Sequence, residues 1–401
     1  MTGNKNFANY IIVGGAIMSG AAIPVSTAFQ NIGTALLLAA FFLSLPALRE
    51  FKHICQLPFP ATGLFLGAFQ IAGIFWTSAS FASAFEFFVK FRAYYLAPIF
   101  FLIFMKARQR NYLIYGFAAT ALLSVVLSCL SAWFGYPIFK AVSGDWFIFR
   151  THTYHNFFAA ILGVGILSAL IAKPSSLTTK MVLIPILILI SYDVFFLVAG
   201  RTGQIVYFLM LILILMLSNW RLGILMSVVL IATLGFILPK YSTAFNSGIT
   251  NARADITAHA QGNSNTSLGL RMEWHENSLR LIKEKPFFGH GTGSFKGEYA
   301  RIAAGQPAAL LSENPHNDYL WLSVELGVLG GLLLIGLLLA AAWQGRHLQP
   351  AWQWTLYALL LGMGTSTLAN SFFTDNITGL AFVLLTCALL NGPTVAAATH
   401  D

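Results

Sequence analysis

The chain is 401 residues long, and only 9% of these are charged while 57% are hydrophobic. Its mean hydropathy of +0.73 excludes an ordinary soluble globular protein, in which roughly a quarter of residues are charged. The net charge of +9 does not indicate nucleic-acid binding, because the basic residues are scattered between apolar segments. The short alternating segments of a β-barrel are also missing, so we predict an all-α polytopic membrane protein.

Apolar segments fill the chain on both sides of one long polar stretch. The predicted spans are residues 8–27, 30–47, 61–78, 84–105, 111–133, 154–172, 181–199, 203–219, 221–238, 317–341, 352–371 and 376–391. We therefore predict about twelve transmembrane helices in three regions. Spans 1–9 occupy residues 1–239, a large loop occupies 240–316, and spans 10–12 with a short tail occupy 317–401. The first span would serve as its own insertion signal.

The distribution of Lys and Arg predicts the orientation in the membrane. With both termini in the cytoplasm, ten basic residues fall in short inner segments and three, Lys140, Arg150 and Arg201, in short outer ones. This bias assigns the large loop to the outer, periplasmic-type face of the membrane. The three cysteines, Cys55, Cys129 and Cys387, lie far apart and indicate neither a disulfide framework nor a thiolate metal site.

Within the large loop, composition distinguishes an irregular part from an ordered one. Residues 251–267 are rich in Asn, Gly, Ser, Thr and Ala and are predicted to be irregular. An amphipathic helix is expected from Leu268 to Ile282, and Pro286 with the glycines of residues 289–293 should end it. The glycine run lacks the Gly-Lys-Ser/Thr ending of a nucleotide-binding loop, so we interpret it as turns.

Basic side chains at or near predicted spans are candidates for function. Lys90 and Arg92 lie inside the fourth span, where an unpaired charge costs about 3 kcal/mol or more. Two residues apart on one helix, they should project about 200° apart and not serve one partner; Glu86 is a candidate partner. Arg201 lies at an outer helix end, where it could also extend to lipid headgroups.

His316 lies where the large loop returns to the membrane, directly after a proline. An imidazole that titrates near neutral pH suits general base catalysis on a hydroxyl, although a histidine here could equally bond backbone groups. Arg201 and Arg271 share its predicted face. Paired guanidinium groups can bind a diphosphate without a divalent metal, which suggests a lipid diphosphate leaving group. His152 and His155 lack a convincing third ligand, so no metal site or cofactor is predicted.

Several motifs, taken together, resemble those of the O-antigen ligase family within the O-antigen ligase and polymerase superfamily. His316-Asn317 followed by Gly327-Val328-Leu329-Gly330 is similar to its His-Asn, spacer, Gly-x-x-Gly signature. Arg201-Thr202-Gly203-Gln204-Ile205 resembles an Arg-x-x-x-Leu motif, with Ile205 as a conservative departure. Residues 271–274 and 286–295 look like the loop helix and glycine turn of the superfamily.

The resemblance implies a GT-C-like, metal-independent glycosyltransferase. Such a ligase moves a glycan from undecaprenyl diphosphate to the lipid A-core oligosaccharide at the periplasmic face, without ATP or nucleic acid. His316 would be the general base, and Arg201 and Arg271 would hold the diphosphate. Lys90, Arg92 and Asn317 are further pocket candidates, and Asp375 is a candidate to orient His316.

Three alternatives remain. An O-antigen polymerase would use the same donor with another lipid-linked glycan as acceptor, but polymerases tend to have more than one sizeable outer loop. A protein O-oligosaccharyltransferase would modify pilin-like proteins and often carries an added C-terminal segment. A lipid-linked glycan transporter would also explain charges within spans, but it does not require a long outer loop that ends in a histidine.

Overall fold

The computed structural model describes residues 2–43, 48–173, 175–305 and 312–395, which form α-helices joined by turns. The helices of the first two-thirds of the chain are α1 (Thr2–Ala22), α2 (Thr27–Leu43), α3 (Leu48–Ile54), α4 (Pro58–Gly73), α5 (Phe81–Lys90), α6 (Arg92–Tyr95), α7 (Ala97–Phe104), α8 (Ala107–Phe134), α9 (His152–Ala172), α10 (Leu177–Tyr192), α11 (Arg201–Ser218), α12 (Trp220–Ala232) and α13 (Leu238–Tyr241). The remaining helices are α14 (Thr243–Ala260), α15 (Ser267–Glu284), α16 (Phe295–Ile302), α17 (Asp318–Gln344), α18 (Pro350–Ser366) and α19 (Thr378–Leu390).

Length and composition identify a multi-pass membrane protein, as predicted. Within the described ranges, six helical segments are long and apolar enough to cross a bilayer, and four shorter apolar helices accompany them. The six are Pro58–Trp76, Ala107–Phe134, His152–Ala172, Leu177–Leu197, Arg201–Ser218 and Asp318–His347. Each of the twelve predicted segments overlaps a helix, and residues 44–47 at the end of the second lie outside the described residues. That each of them crosses the membrane, and that the large loop is periplasmic, stay predictions.

Two helices lie at the centre of the bundle. Every residue of α19 is buried, and α9 buries most of the side chains in its first half. Around them pack α7, α8, α11 and α18. Because α19 has no exposed face, its apolar sequence Thr378–Leu390 is a core helix as well as a candidate span. The residues just before α9 and α19 therefore open onto the middle of the molecule.

The predicted fourth span is interrupted, contrary to the expectation of one continuous helix. It consists of α5, α6 and α7, which meet at Phe91 (φ −93°, ψ 8°) and at Leu96 (φ −86°, ψ −3°). Pro98 explains the second break, because its nitrogen has no hydrogen to donate to the carbonyl four residues earlier. We have no local sequence cause for the break at Phe91. It changes the relative direction of Lys90 and Arg92.

The expectation that residues 251–267 are irregular is wrong for most of that segment. Helix α14 continues to Ala260, and only a short turn separates it from α15. Asp255 explains part of the order, since its carboxylate accepts the Leu268 N–H at 3.2 Å and so ties α14 to the start of α15. His259 adds a contact to Glu276 at 3.8 Å. The predicted helix after Leu268 is confirmed, beginning one residue earlier.

The glycine run forms turns, as predicted, and docks against a break in α17. Gly327 in the middle of α17 has φ 72° and ψ −178°, a backbone region essentially restricted to glycine. The break frees backbone groups on either side for the docking turn. The His290 N–H donates to the Val324 carbonyl at 2.9 Å, and the Val328 N–H donates to the Pro286 carbonyl at 2.8 Å. The large loop is thereby fixed to the membrane helices.

Replacing Gly327 by alanine should disrupt this docking. A Cβ at Gly327 would lie 2.1 Å from the Phe287 carbonyl oxygen, whereas one at Gly336 on the same helix would meet nothing within 4 Å. We expect Gly327→Ala to lower the free energy of unfolding by about 1–3 kcal/mol or more, from backbone strain alone. Thermal unfolding in detergent micelles measures the effect, with Gly336→Ala as the control. Equal stability of the two variants would contradict this account of the docking.

Candidate functional site

His316 occupies a tight turn with a left-handed backbone. Its φ is 53°, which is unusual for a residue other than glycine. The Asn314 side chain holds the turn: its Oδ1 accepts the His316 N–H at 2.7 Å and the Ser371 hydroxyl at 2.6 Å. The imidazole stacks on the Trp274 ring of α15, with centroids 5.0 Å apart and 26° between the planes. His275 hydrogen-bonds the backbone of Pro315. The loop helix and the turn thus orient the ring together.

The two residues after His316 anchor the start of α17. Asn317 caps the helix, accepting the Leu320 N–H at 3.2 Å and donating to the Leu368 carbonyl at 3.3 Å. Its role in the structure is therefore that of a cap, and its side-chain bonds lead to the helix start and to Leu368, which follows α18. Asp318 is completely buried. We had not identified it from the sequence.

The Asp318 carboxylate organises the connection between α18 and α19, residues 367–377, which we call the anchor loop. It accepts the Thr367 hydroxyl at 2.6 Å, the Phe373 N–H at 2.6 Å and the Thr374 hydroxyl at 2.7 Å. A buried carboxylate is stable only with such partners, so these bonds fix the loop beside the His316 turn. Every predicted site residue except Arg201 then touches this loop or shares a cavity with it, and Asn317 reaches it at Leu368.

Arg201 and Arg271 lie close enough for their charges to interact. Arg201 is the first residue of α11, and its guanidinium donates to the Gly248 carbonyl of α14 at 3.2 Å. Arg271 lies on α15 and donates to Asn370 of the anchor loop at 3.4 Å. Burial, and then the charge of Arg201, lower the pKa of Arg271. Among the residues that the structure describes, neither guanidinium forms an ion pair with a carboxylate. The pair is therefore suited to an anionic ligand.

The surroundings of His316 keep its imidazole neutral. Burial lowers the pKa of His316 to about 4, and the positive charge of Arg271 and the neighbouring His275 contribute in the same direction. The pKa of His275 is also lowered, chiefly by burial. At neutral pH a ring nitrogen of His316 therefore has a lone pair available to accept a proton. This is the protonation state that a general base requires.

A chamber of about 450 Å³ opens beside His316. Its lining combines the His316 turn, the start of α9 and the anchor loop, and includes Asn314, His316, Lys90, Tyr154, Trp321, Asn370, Ser371, Asp375 and Asn376. Helix starts of α9, α17 and α19 surround it, and their N-terminal partial charges add to the positive potential of the cations. The chamber is large enough to admit sugar groups next to the imidazole.

Lys90 and Arg92 do face a common space, which corrects the expectation that they cannot serve one partner. Because the helix is interrupted at Phe91, both side chains line a second cavity of about 230 Å³, and Lys90 lines the chamber as well. The predicted contact of Lys90 with Glu86 is present at 3.6 Å. The Lys90 ammonium also lies 5.0 Å from the centre of the Trp321 ring.

Asp375 lies at the chamber but makes its hydrogen bonds elsewhere. Its carboxylate accepts the Tyr154 hydroxyl at 2.9 Å and the N–H groups of Ile377 and Thr378 at 2.8 and 3.3 Å. These bonds hold the start of α19. The orientation of His316 instead comes from Trp274 and the Asn314 turn, which the sequence analysis had not identified.

Removing the charge of Arg271 should raise the pKa of His316. The positive guanidinium disfavours the imidazolium, so Arg271→Gln is expected to shift the pKa upward from about 4. Histidine-selective ¹⁵N NMR of the protein in detergent, recorded from pH 3.5 to 8, measures the shift. Arg280→Gln on the same helix is the matched control and should leave it unchanged. An unchanged or lower pKa in Arg271→Gln would contradict the proximity of the two groups.

Comparison with known proteins finds a family model that matches the part of the chain with His316 and the two arginines. Residues 185–335 match the family model described as O-Antigen ligase (Wzy_C), and this range contains Arg201, Arg271 and His316 but not Lys90 or Asp375. A protein of Haemophilus influenzae, described as uncharacterized, is 37% identical over 92 residues, which are 22% of this chain and 23% of that relative. The aligned region thus spans less than a quarter of the relative. The resemblance seen in the sequence is confirmed: this multi-pass membrane protein carries an O-antigen ligase family domain over residues 185–335.

Proposed function

We propose that this protein is an O-antigen ligase, which transfers a glycan from undecaprenyl diphosphate to the lipid A-core oligosaccharide. One observation carries the proposal: a neutral imidazole at His316 lies near the guanidinium of Arg271, which in turn lies near that of Arg201. Neither guanidinium has a carboxylate partner among the described residues. Transfer of a glycan from a lipid diphosphate needs a base for the acceptor hydroxyl and cationic groups for the leaving diphosphate, and these residues would supply both. The family of residues 185–335 supports the same chemistry.

In the proposed reaction, His316 accepts the proton of an acceptor sugar hydroxyl. The hydroxyl oxygen forms a bond to the anomeric carbon of the donor glycan as the bond from that carbon to the diphosphate oxygen breaks. The electron pair leaves with undecaprenyl diphosphate, and His316 becomes an imidazolium. A single displacement of this kind inverts the anomeric configuration.

Arg201 and Arg271 would stabilise the charge that develops on the leaving diphosphate. Guanidinium groups match phosphate oxygens bidentately, and preorganised electrostatic contacts of this type are commonly worth several kcal/mol. Because two guanidiniums can supply this charge, we propose that transfer requires neither a divalent metal nor ATP.

A bound diphosphate would also change the base. Its negative charge would offset the effect of Arg271, which helps to hold the pKa of His316 at about 4 in the free protein. The imidazole then becomes a stronger proton acceptor when the donor is present. The free site keeps His316 unprotonated, and donor binding gives it the basicity that proton transfer needs.

We further propose that the protein resides in the bacterial inner membrane with the site facing the periplasm and both termini in the cytoplasm. The excess of Lys and Arg in the short segments on the side of the termini supports this orientation. Ligase is preferred to polymerase because the sequence has one long outer loop. A ligase and a polymerase use the same donor, and they differ in the acceptor of the glycan.

A transfer assay tests the function directly. Purified protein is incubated with radiolabelled undecaprenyl diphosphate glycan and lipid A-core, in EDTA and without ATP, and we expect labelled lipid A-core glycan. Longer lipid-linked glycans formed from the donor alone would identify a polymerase, and a labelled pilin-like acceptor would identify a protein O-oligosaccharyltransferase. Unaltered donor that crosses the bilayer of reconstituted vesicles would contradict transfer and support a transporter.

Replacing His316 should abolish most of this transfer. We expect His316→Ala and His316→Asn to lower the rate by roughly 10²-fold or more, because the proton acceptor is lost. Asparagine tolerates the left-handed backbone at this position, so His316→Asn separates loss of the base from strain. His53→Ala, an exposed histidine on α3, is the control. Near-normal initial rates in folded His316→Asn would remove His316 from the mechanism.

A further inference from the structure

The cavity that Lys90 and Arg92 share has a charged end and an apolar end. It has a volume of about 230 Å³ and lies between α2, the start of α6 and the start of α19. Its polar end is lined by Lys90, Arg92, Asn31, Thr34, Asp375 and Asn376, and its apolar end by Ala35, Leu38, Ala93, Leu96 and Leu380. This division matches an amphiphile that carries an anionic headgroup.

The two cations at the polar end are poorly neutralised by the protein. Arg92 donates to the Val89 carbonyl at 3.0 Å and to the Asn376 side-chain oxygen, both of which are uncharged. Lys90 is paired with Glu86 at 3.6 Å, but the Glu86 side chain is 75% exposed, and exposed ion pairs contribute little. Glu313 and Glu325 also lie close enough for their charges to interact with Lys90, but neither lines this cavity. An unneutralised guanidinium within a helix bundle is costly unless an anion or water reaches it.

Asp375 is the carboxylate at this end, and its contacts make it a weak counter-ion for Arg92. Its oxygens already accept three hydrogen bonds, from Tyr154, Ile377 and Thr378. It also lies close enough to Arg150 for their charges to interact. In the described part of the chain, Arg92 forms no ion pair with it.

The position of the cavity suggests which lipid would use it. Transfer between two lipids brings two headgroups to one base. Arg201 and Arg271 approach the His316 turn from α11 and α15, and Arg271 reaches the anchor loop at Asn370. Arg92 reaches the other end of the same loop at Asn376, and Lys90 lines both the cavity and the chamber. Each lipid would therefore have its own pair of cations.

We propose that Lys90 and Arg92 bind a phosphate group of a lipid whose apolar part fills the space near Leu38, Leu96 and Leu380. Resting on the proposed function, this lipid is the acceptor glycolipid, which enters between α2 and α6 while the donor diphosphate occupies the Arg201 and Arg271 site. Free phosphate would satisfy the cations but leave the apolar end empty, so the complete amphiphile should bind more tightly.

Lipid binding tests the site without reference to catalysis. Delipidated protein in detergent is titrated, by native mass spectrometry, with dioleoyl phosphatidic acid, with dioleoylglycerol and with glycerol 3-phosphate. We expect phosphatidic acid to bind at least tenfold more tightly than either of the others. Lys90→Gln and Arg92→Gln should each weaken its binding by at least fivefold, and Arg108→Gln, which removes a cation near the start of α8, should not.

Three results of this titration would overturn the site. In the first, phosphatidic acid binds the wild type and Lys90→Gln with equal affinity. In the second and third, glycerol 3-phosphate or dioleoylglycerol binds the wild type as tightly as phosphatidic acid does. Lys90 is partly exposed, so Lys90→Gln should fold even if Arg92→Gln does not.

Transfer kinetics then test the identity of the lipid. Lys90→Gln should raise KM for lipid A-core at least fivefold with little change in KM for the donor, and Arg271→Gln should show the reverse. The opposite pattern for Lys90→Gln would overturn the acceptor assignment. If the wild type performs no transfer, the proposed function fails, whereas Lys90-dependent binding of phosphatidic acid would still establish a lipid phosphate site.

Discussion

The structure of the site depends on one buried carboxylate, that of Asp318. It sits at the start of α17, two residues after His316, and receives three hydrogen bonds from the anchor loop. These buried bonds reach the start and the middle of a segment that is itself a series of turns, and contacts from Asn314, Asn317 and Arg271 hold residues 368–371 of the same segment. The loop then contacts Arg271, the His316 turn and Arg92 through Asn370, Ser371 and Asn376.

The large loop contributes its share through two packed helices. Helix α14 supplies the Gly248 carbonyl that receives Arg201, and a Cβ at Gly248 would lie 2.9 Å from the Arg201 side chain. Helix α15 supplies Arg271, and its Trp274 stacks on His316. The two helices therefore bring the arginines together and place Arg271 near the imidazole. The charge of Arg271 can influence both Arg201 and His316 because the large loop folds into these two packed helices.

The helical membrane class was predictable from composition. That His316, Arg201 and Arg271 form one site stays a prediction from their motifs, and the structure supports it in so far as Arg271 lies near each of the other two. The sequence did not predict α14, because its Asn- and Thr-rich composition is typical of irregular segments. The helix is stabilised by packing against α15, which local composition does not reveal. Nor did the sequence predict the contacts of the anchor loop, which join residues far apart in the chain. Asp318 did leave a signal, as a carboxylate at the start of an apolar helix. The common cavity of Lys90 and Arg92 depends on a helix break at Phe91, and no residue near Phe91 in the sequence predicts that break.

The burial of Asp318 has a consequence for how the protein is made. Its hydrogen-bond donors follow it by 49, 55 and 56 residues. At roughly 5–20 residues per second of synthesis, the ribosome makes them about 2 to 11 seconds after Asp318. During that interval the carboxylate has no permanent partner, so it must keep contact with water at the membrane surface. Helix α17 can settle at its final depth only when α18 and the segment after it have emerged, and assembly of this part of the bundle is therefore coupled to translation of the last spans.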